Sequence, residues 1–254
     1  MIAQDVAHRY LKLADDRRPG LVTGLYLVGS AALGAWQPEH SDVDAVILTS
    51  RETAPEDLAA LAGIHSELGR PFFDGVYLSP ALAGIWPDDR RPVPFAVDGV
   101  LVTDRPCGEL TPVVWLVLRK YGIAIRGAAD PGVRVDHENL RRYLLDNLRD
   151  YWQDMAAQIT AAVPAITGEA VDADSVVWVV LGPARLHYTL VYGDVIAKAA
   201  AGGYLAKRFP EYADLAARAV RHRAGHPQQF TPADLAAAAE AADAVAGDAH
   251  RRFG

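Results

Sequence analysis

The sequence predicts an α+β protein: an N-terminal domain of mixed strands and helices, then an all-helical C-terminal domain. Strand and helix patterns alternate through roughly the first hundred residues, and beyond Glu109 long helical patterns take over. The strand-breaking tract Arg105-Pro106-Cys107-Gly108 marks the change, so the expected domains are 1–108 and 109–254.

Each element has a local cause. Ile2–Leu13 carries an amphipathic pattern, and Leu21–Val28 reads as a strand running into Gly29. Ala45–Leu48 is a second strand. Pro55–Leu68 has apolar residues at helical spacing, with Thr53 as candidate N-cap and Glu56-Asp57 in the first turn. Phe72–Leu78 and Pro94–Thr103 are further strands, and the intervening IWPDDRRPVP reads as a loop or hairpin excursion. Helical patterns follow over Thr111–Tyr121, His137–Ile166, Val176–Tyr192, an alanine-rich stretch from Val195, and Pro232–Arg252. The last has Thr231 as N-cap and Pro232 at the first helical position. No repeat of solenoid period is present; FDGVYL at 73–78 and VDGVLV at 97–102 merely echo one another as strand starts.

Composition narrows the function classes. Half of the chain is hydrophobic (51%) and 22% is charged, which is enough to build a real core. A formal charge of −7 argues against coating nucleic acid or an anionic membrane, either of which needs a basic face. The single Cys107 makes no internal disulfide, no apolar run approaches a membrane span, and the first twenty residues lack a basic segment followed by an apolar one. A soluble, cytoplasmic protein is expected.

The chemistry concentrates in LVGSAALGAWQPEHSDVDAVILTS, residues 27–50. On an extended strand, residues i and i+2 point to the same side with Cα atoms roughly 6.5–7 Å apart. Asp42 and Asp44 therefore project two carboxylates into one space, where they repel unless a cation sits between them. A hard divalent cation suits such oxygen ligands, Mg²⁺ above all where phosphates share the site. Two ions about 3.5–4 Å apart, held by this pair and a third carboxylate, would serve in-line phosphoryl chemistry. Gly29-Ser30 supplies the complementary half. Glycine lets a phosphate approach the backbone, the Ser30 hydroxyl can donate to it, and a helix beginning at Ala31–Trp36 would add free N–H groups. Ser41 can act similarly beside the acids.

Gly29-Ser30-Ala31-Ala32-Leu33-Gly34 followed by Ser41-Asp42-Val43-Asp44 resembles the signature of the polymerase-β-like nucleotidyltransferases. Among them it is similar to the aminoglycoside adenylyltransferases, the 3″-type enzymes that modify streptomycin and spectinomycin. The likeness extends to Pro183-Ala184-Arg185-Leu186-His187-Tyr188-Thr189-Leu190, to Gly193–Lys198, and to Tyr204–Pro210. It implies a polymerase-β-like N-terminal domain joined to a helical bundle. It also implies that Asp42 and Asp44 hold Mg²⁺ (two ions), with a third carboxylate acting as metal ligand and general base. The order strand, helix, strand after the motif favours Asp74 for that role, with Asp98 as its rival; the streptomycin enzymes use a glutamate there. Arg185 and Lys198 match two basic positions that grip the triphosphate.

The activity so implied is Mg²⁺-dependent transfer of AMP from ATP to a hydroxyl of a small, cationic acceptor, an aminoglycoside antibiotic, with no nucleic-acid or membrane partner. Two alternatives accompany it: a protein-modifying adenylyltransferase of toxin–antitoxin type, and a nucleotide-binding regulator without transfer activity. Asp172 and Asp174 supply acids ahead of the Pro-Ala-Arg segment. Trp178 reads as core, and Tyr151-Trp152 as helix packing. His222 and His226, at i and i+4, lack a third ligand and read as solvated surface.

Overall fold

The computed structural model describes residues 2–38, 41–79, 81–82 and 92–254. The chain divides into two compact units, Met1–Asp136 and His137–Gly254.

In the first unit, helix α1 (Ala3–Arg17) leads to strand β1 (Val22–Leu27), a single helical turn α2 (Gly29–Ala32) and strand β2 (Val43–Thr49). Helix α3 (Pro55–Leu68), strand β3 (Phe73–Leu78), the short strands β4 (Phe95–Val97) and β5 (Val100–Val102), helix α4 (Pro112–Tyr121) and strand β6 (Ile123–Arg126) complete it. Among the described residues six strands form one mixed sheet in the order β5-β4-β3-β2-β1-β6. Only β2 and β3 run parallel, and α3 is the crossover between them.

Strand alternation decides which side chains face the core. Val43, Ala45 and Ile47 of β2, Phe73 and Tyr77 of β3, and Leu25 and Leu27 of β1 pack with Tyr10, Leu11, Leu61 and Ile64 of α1 and α3. The intervening residues, Asp44 and Asp74 among them, therefore project from the opposite face of the sheet. Inside that core Tyr10 donates its hydroxyl to Tyr77 at 2.8 Å, and the Tyr77 hydroxyl meets His65 Nε2 at 2.7 Å, which pairs these three buried polar atoms.

Several expectations change here. The boundary expected at 105–110 falls inside the first unit, because β6 pairs antiparallel with β1 and Arg126 binds Asp15 of α1 at 2.6 Å. The strand expected over Pro94–Thr103 is a hairpin. Asp98 and Gly99 both have positive φ (52° and 76°), which a two-residue primed turn requires and which Asp-Gly tolerates best. The N-cap of α3 is Ala54 in place of Thr53, and its N–H donates to the buried Asp57 carboxylate at 2.8 Å. Arg18 and Arg51 also hold that carboxylate and, with the Ala54 N–H, draw its pKa down to about 2 against the opposing effect of desolvation. The helix expected from Ala31 is confined to α2. Residues 85–91 of IWPDDRRPVP lie outside the described residues.

The second unit is helical throughout, apart from one isolated bridge between Val171 and Phe230. Helix α5 (His137–Asn147) runs through a π-helical turn (Leu148–Gln153) into α6 (Asp154–Ala162), so one expected helix is continuous but locally widened. Helix α7 (Ala173–Tyr192) starts at Asp172, which accepts the Ser175 N–H at 2.8 Å, and stops at Gly193 in the left-handed conformation. Helices α8 (Lys198–Arg208), α9 (Ala213–Arg223) and α10 (Pro232–Phe253) surround it. The alanines of α10 are its function in packing: Ala238, Ala239 and Ala242 are buried with Val176, Val180 and Leu181 of α7. The α10 N-terminus has the expected cap, with Thr231 and Asp234 bonding each other's backbone N–H at 3.2 and 2.8 Å.

Candidate active site

Parallel pairing of β2 with β3 sets Asp44 directly beside Asp74 in register. Neighbours in register on adjacent strands point the same way, so both carboxylates rise from one face of the sheet. Pairing of β3 with β4 (Gly75 with Ala96) then carries the hairpin turn alongside, and the Asp98 N–H donates to Asp74 Oδ2 at 3.3 Å. Asp42, just ahead of β2, completes the group: Asp42, Asp74 and Asp98 each offer a carboxylate oxygen within 4.8 Å of the other two. The rivals Asp74 and Asp98 thus belong to one cluster.

The electrostatics of this cluster centre on Asp74. Its Oδ1 is buried with no hydrogen-bond partner. Burial pushes its pKa up to about 7, and the charges of Asp42, Asp44 and Asp98 add to the rise, while the Asp98 N–H opposes it. A buried, orphaned carboxylate oxygen facing other acids fits a divalent cation, which would supply the missing charge and ligand. Among the described residues this is the group of acidic or imidazole side chains so arranged.

Gly29 meets the acids from β1. Its φ is +55°, and a Cβ there would lie 1.9 Å from Asp44 Oδ2. Only glycine allows the backbone to come this close. The Val28 N–H donates to the Asp44 carbonyl at 2.9 Å, so the start of the Gly29-Ser30 turn is tied to the acid strand. Ser30 lies within that turn. The loop between the two halves is closed by Trp36, whose indole N–H donates to the Asp42 carbonyl at 3.1 Å. Ser41 is buried and pinned to Gln37: its Oγ accepts the Gln37 N–H at 3.2 Å, and its own N–H donates to the Gln37 carbonyl at 2.8 Å.

In the second unit Arg185 reaches the chain just ahead of Lys198 despite their thirteen-residue separation. Arg185 Nε donates to the Ile196 carbonyl at 3.2 Å, two residues before Lys198 opens α8. Lys198 Nζ sits 4.9 Å from the centroid of the Trp178 ring. Trp178, expected in the core, is 41% exposed, and Tyr151 is 42% exposed, while Trp152 is buried as expected. Val176, Val177, Val179 and Val180 around Trp178 are buried, so the indole leaves the helix on the opposite side. His222 Nδ1 accepts the Gln228 N–H at 3.1 Å, and its Nε2 lies 3.6 Å from Asp174.

Comparison with known proteins gives three findings. Residues 9–71 match the nucleotidyltransferase domain family, and residues 146–247 match the aminoglycoside adenylyltransferase C-terminal domain family. No curated protein sequence matches the chain. The fold is similar to that of spectinomycin adenyltransferase AAD(9) from Enterococcus faecialis, in a crystal structure with ATP and spectinomycin. The TM-score is 0.69 at 14% identity, over 96% of this chain and 98% of the other.

Proposed function

We propose, from the premise that the chain belongs to the aminoglycoside adenylyltransferase-type nucleotidyltransferases, that it transfers AMP from ATP to a hydroxyl of a small cationic acceptor of the aminoglycoside class. The observation that carries this reading is Asp74: a half-buried carboxylate with one buried, orphaned oxygen, set among Asp42, Asp44 and Asp98 beside the close approach at Gly29.

Asp42, Asp44, Asp74 and Asp98 would hold Mg²⁺, which when bound offsets the charge of the triphosphate and polarises its α-phosphorus. The Asp74 carboxylate takes the proton of the acceptor hydroxyl, and a pKa raised toward neutrality suits a general base. The acceptor oxygen forms a bond to the α-phosphorus while the bond from that phosphorus to the bridging oxygen breaks, and pyrophosphate leaves. Gly29 and Ser30 present backbone and hydroxyl to the phosphates, with Ser41 bracing the loop, and Arg185 and Lys198 offset the charge of the departing pyrophosphate. Catalysis of this kind rests on positioning and electrostatics.

An acidic protein attracts a cationic acceptor, and the −7 charge supports that choice. Among the described residues no helix is long and apolar enough to cross a membrane. The test is mass spectrometry of an aminoglycoside panel incubated with ATP and Mg²⁺. An AMP adduct that disappears in Asp42→Ala and Asp74→Ala supports transfer. Nucleotide binding with no adduct on any compound would sink it and favour the regulator.

A further inference from the structure

Lys198 is the first residue of α8, where a cation is disfavoured by the positive end of the helix dipole and by the cost of ordering a long side chain. The structure places its ammonium over the exposed indole of Trp178, at 4.9 Å from the ring centroid. That indole is itself braced. Its Nε1–H points to the Tyr151 hydroxyl at 3.4 Å, and the Trp152 ring lies against it at 5.5 Å between centroids. Trp152 is in turn seated on Gly182, where a Cβ would approach its ring to 2.2 Å. A rigid aromatic stack therefore ends in one outward π face, and the occupant of that face is Lys198.

We infer that Trp178 is a positioning residue for the nucleotide: its indole face holds the Lys198 ammonium beside the Arg185–Ile196 bond, ordered in advance for the triphosphate. A π face touches an ammonium from one side only, so the contact is compatible with phosphate approaching from another. The indole then lowers the ordering cost that a flexible lysine would otherwise bring to each binding event. This inference rests on the assignment of Lys198 to the triphosphate.

The experiment is a double-mutant cycle on ATP affinity by titration calorimetry with the full chain, using Trp178→Leu, Lys198→Ala and the pair. Trp178→Leu should weaken ATP binding about two- to fivefold, as expected of an exposed cation–π contact, and Trp178→Phe should recover most of it. In the Lys198→Ala background Trp178→Leu should have no further effect. Tryptophan emission, recorded in parallel, should change on Lys198→Ala in the wild type and not in Trp178→Leu. Thermal unfolding of each variant identifies any that fails to fold, and Trp178→Gln, which also lacks a π face, then takes the place of Trp178→Leu in the cycle. Additive losses from the two substitutions, or no loss in Trp178→Leu while Lys198→Ala binds poorly, would overturn this inference alone. Unchanged affinity in Lys198→Ala would overturn it together with the triphosphate role of Lys198.

Discussion

Asp44 and Asp74 lie side by side in register across the parallel pair β2 and β3, and the turn between β4 and β5 brings the Asp98 N–H onto Asp74 Oδ2. Packing carboxylates so closely opposes folding, since each raises the pKa of Asp74 in the direction already set by desolvation. The folded-state pKa of Asp74 lies above its unfolded value, so its ionisation weakens the fold as pH rises from about 4 toward 7. Asp74→Asn removes that charge. It should therefore raise Tm at pH 8 by about 2–4 °C without divalent cations, equivalent to about 1 kcal/mol. The same change should lower kcat by about 10²–10⁴-fold, the usual worth of a general base. Differential scanning fluorimetry and an adenylyl-transfer assay read the two effects. A variant less stable than wild type, or one that keeps full kcat, contradicts this account of Asp74.

If the acids hold Mg²⁺, the cation should stabilise the chain by mass action, by about 1.4 kcal/mol at a concentration near ten times its dissociation constant. The Tm of the wild type should rise with added MgCl₂ and fall back with EDTA. Asp42→Asn, at an acid that shares the cluster with Asp74 and Asp98, should reduce the response strongly. A response to MgCl₂ that survives Asp42→Asn would place the binding elsewhere.

Gly29→Ala meets two obstacles at once: a left-handed φ of +55° and a Cβ position 1.9 Å from Asp44 Oδ2. Either the turn shifts or the carboxylate does. A loss of about 1–3 kcal/mol in stability should accompany a drop in transfer activity larger than that produced by Gly34→Ala. Gly34 also has positive φ but nothing within 4 Å of the added methyl. Urea unfolding of the two variants separates backbone strain from the clash with the acid.

The pair Asp42 and Asp44 is legible because strand alternation acts over two residues, and the N-cap of α10 because Thr231 directly precedes a proline suited to the first helical position. The strands β4 and β5 were within reach as well, since Asp98-Gly99 is a hairpin dipeptide. What linear order cannot supply is the pairing of β4 with β3, so Asp74 and Asp98 read as rivals when they are neighbours. β6 was missed for a related reason: four residues, Ile123–Arg126, become a strand only because β1, a hundred residues earlier, has a free edge for them. Trp178 misled because it stands among four valines. Hydrophobicity alone placed it in the core, whereas helical geometry turns it out of that buried face toward Lys198. Arg185 and Lys198 were named from family likeness, and the reach of Arg185 to the chain ahead of Lys198 needed the loop through Ile196.

His65 offers a pH test within the first unit. It is 1% exposed, and burial pushes its pKa down to about 4, with the Phe73 backbone opposing only in part. The folded-state value lies below the unfolded one, so the unfolded chain binds the extra proton between pH 6.5 and 4. Stability should be complete above pH 6.5 and decline as pH falls through that window, by on the order of 3 kcal/mol in all. His65→Gln keeps a polar group near Tyr77 and does not titrate. Chemical unfolding between pH 7 and 4 should show a flatter profile for this variant, and parallel profiles would show that another group governs the acid limb.

The aromatic stack of the second unit is most exposed to disturbance at Gly182. A methyl group there would meet Trp152 Cη2 at 2.2 Å, and Trp152 is 4% exposed with little room to retreat. Gly182 stands inside α7 next to Pro183, so alanine suits the helix better than glycine by about 1 kcal/mol. Overpacking works against that gain, at about 1–3 kcal/mol. The clash is with the rim of a buried ring held between Tyr151 and Trp178, and overpacking should win. Gly182→Ala is thus expected to lower the stability of the protein and to alter its near-ultraviolet circular dichroism, as the indoles of Trp152 and Trp178 shift together. ATP affinity should fall with them, because the face that carries Lys198 moves. A variant of raised stability and unchanged aromatic signal would mean that Trp152 can give way without disturbing its neighbours.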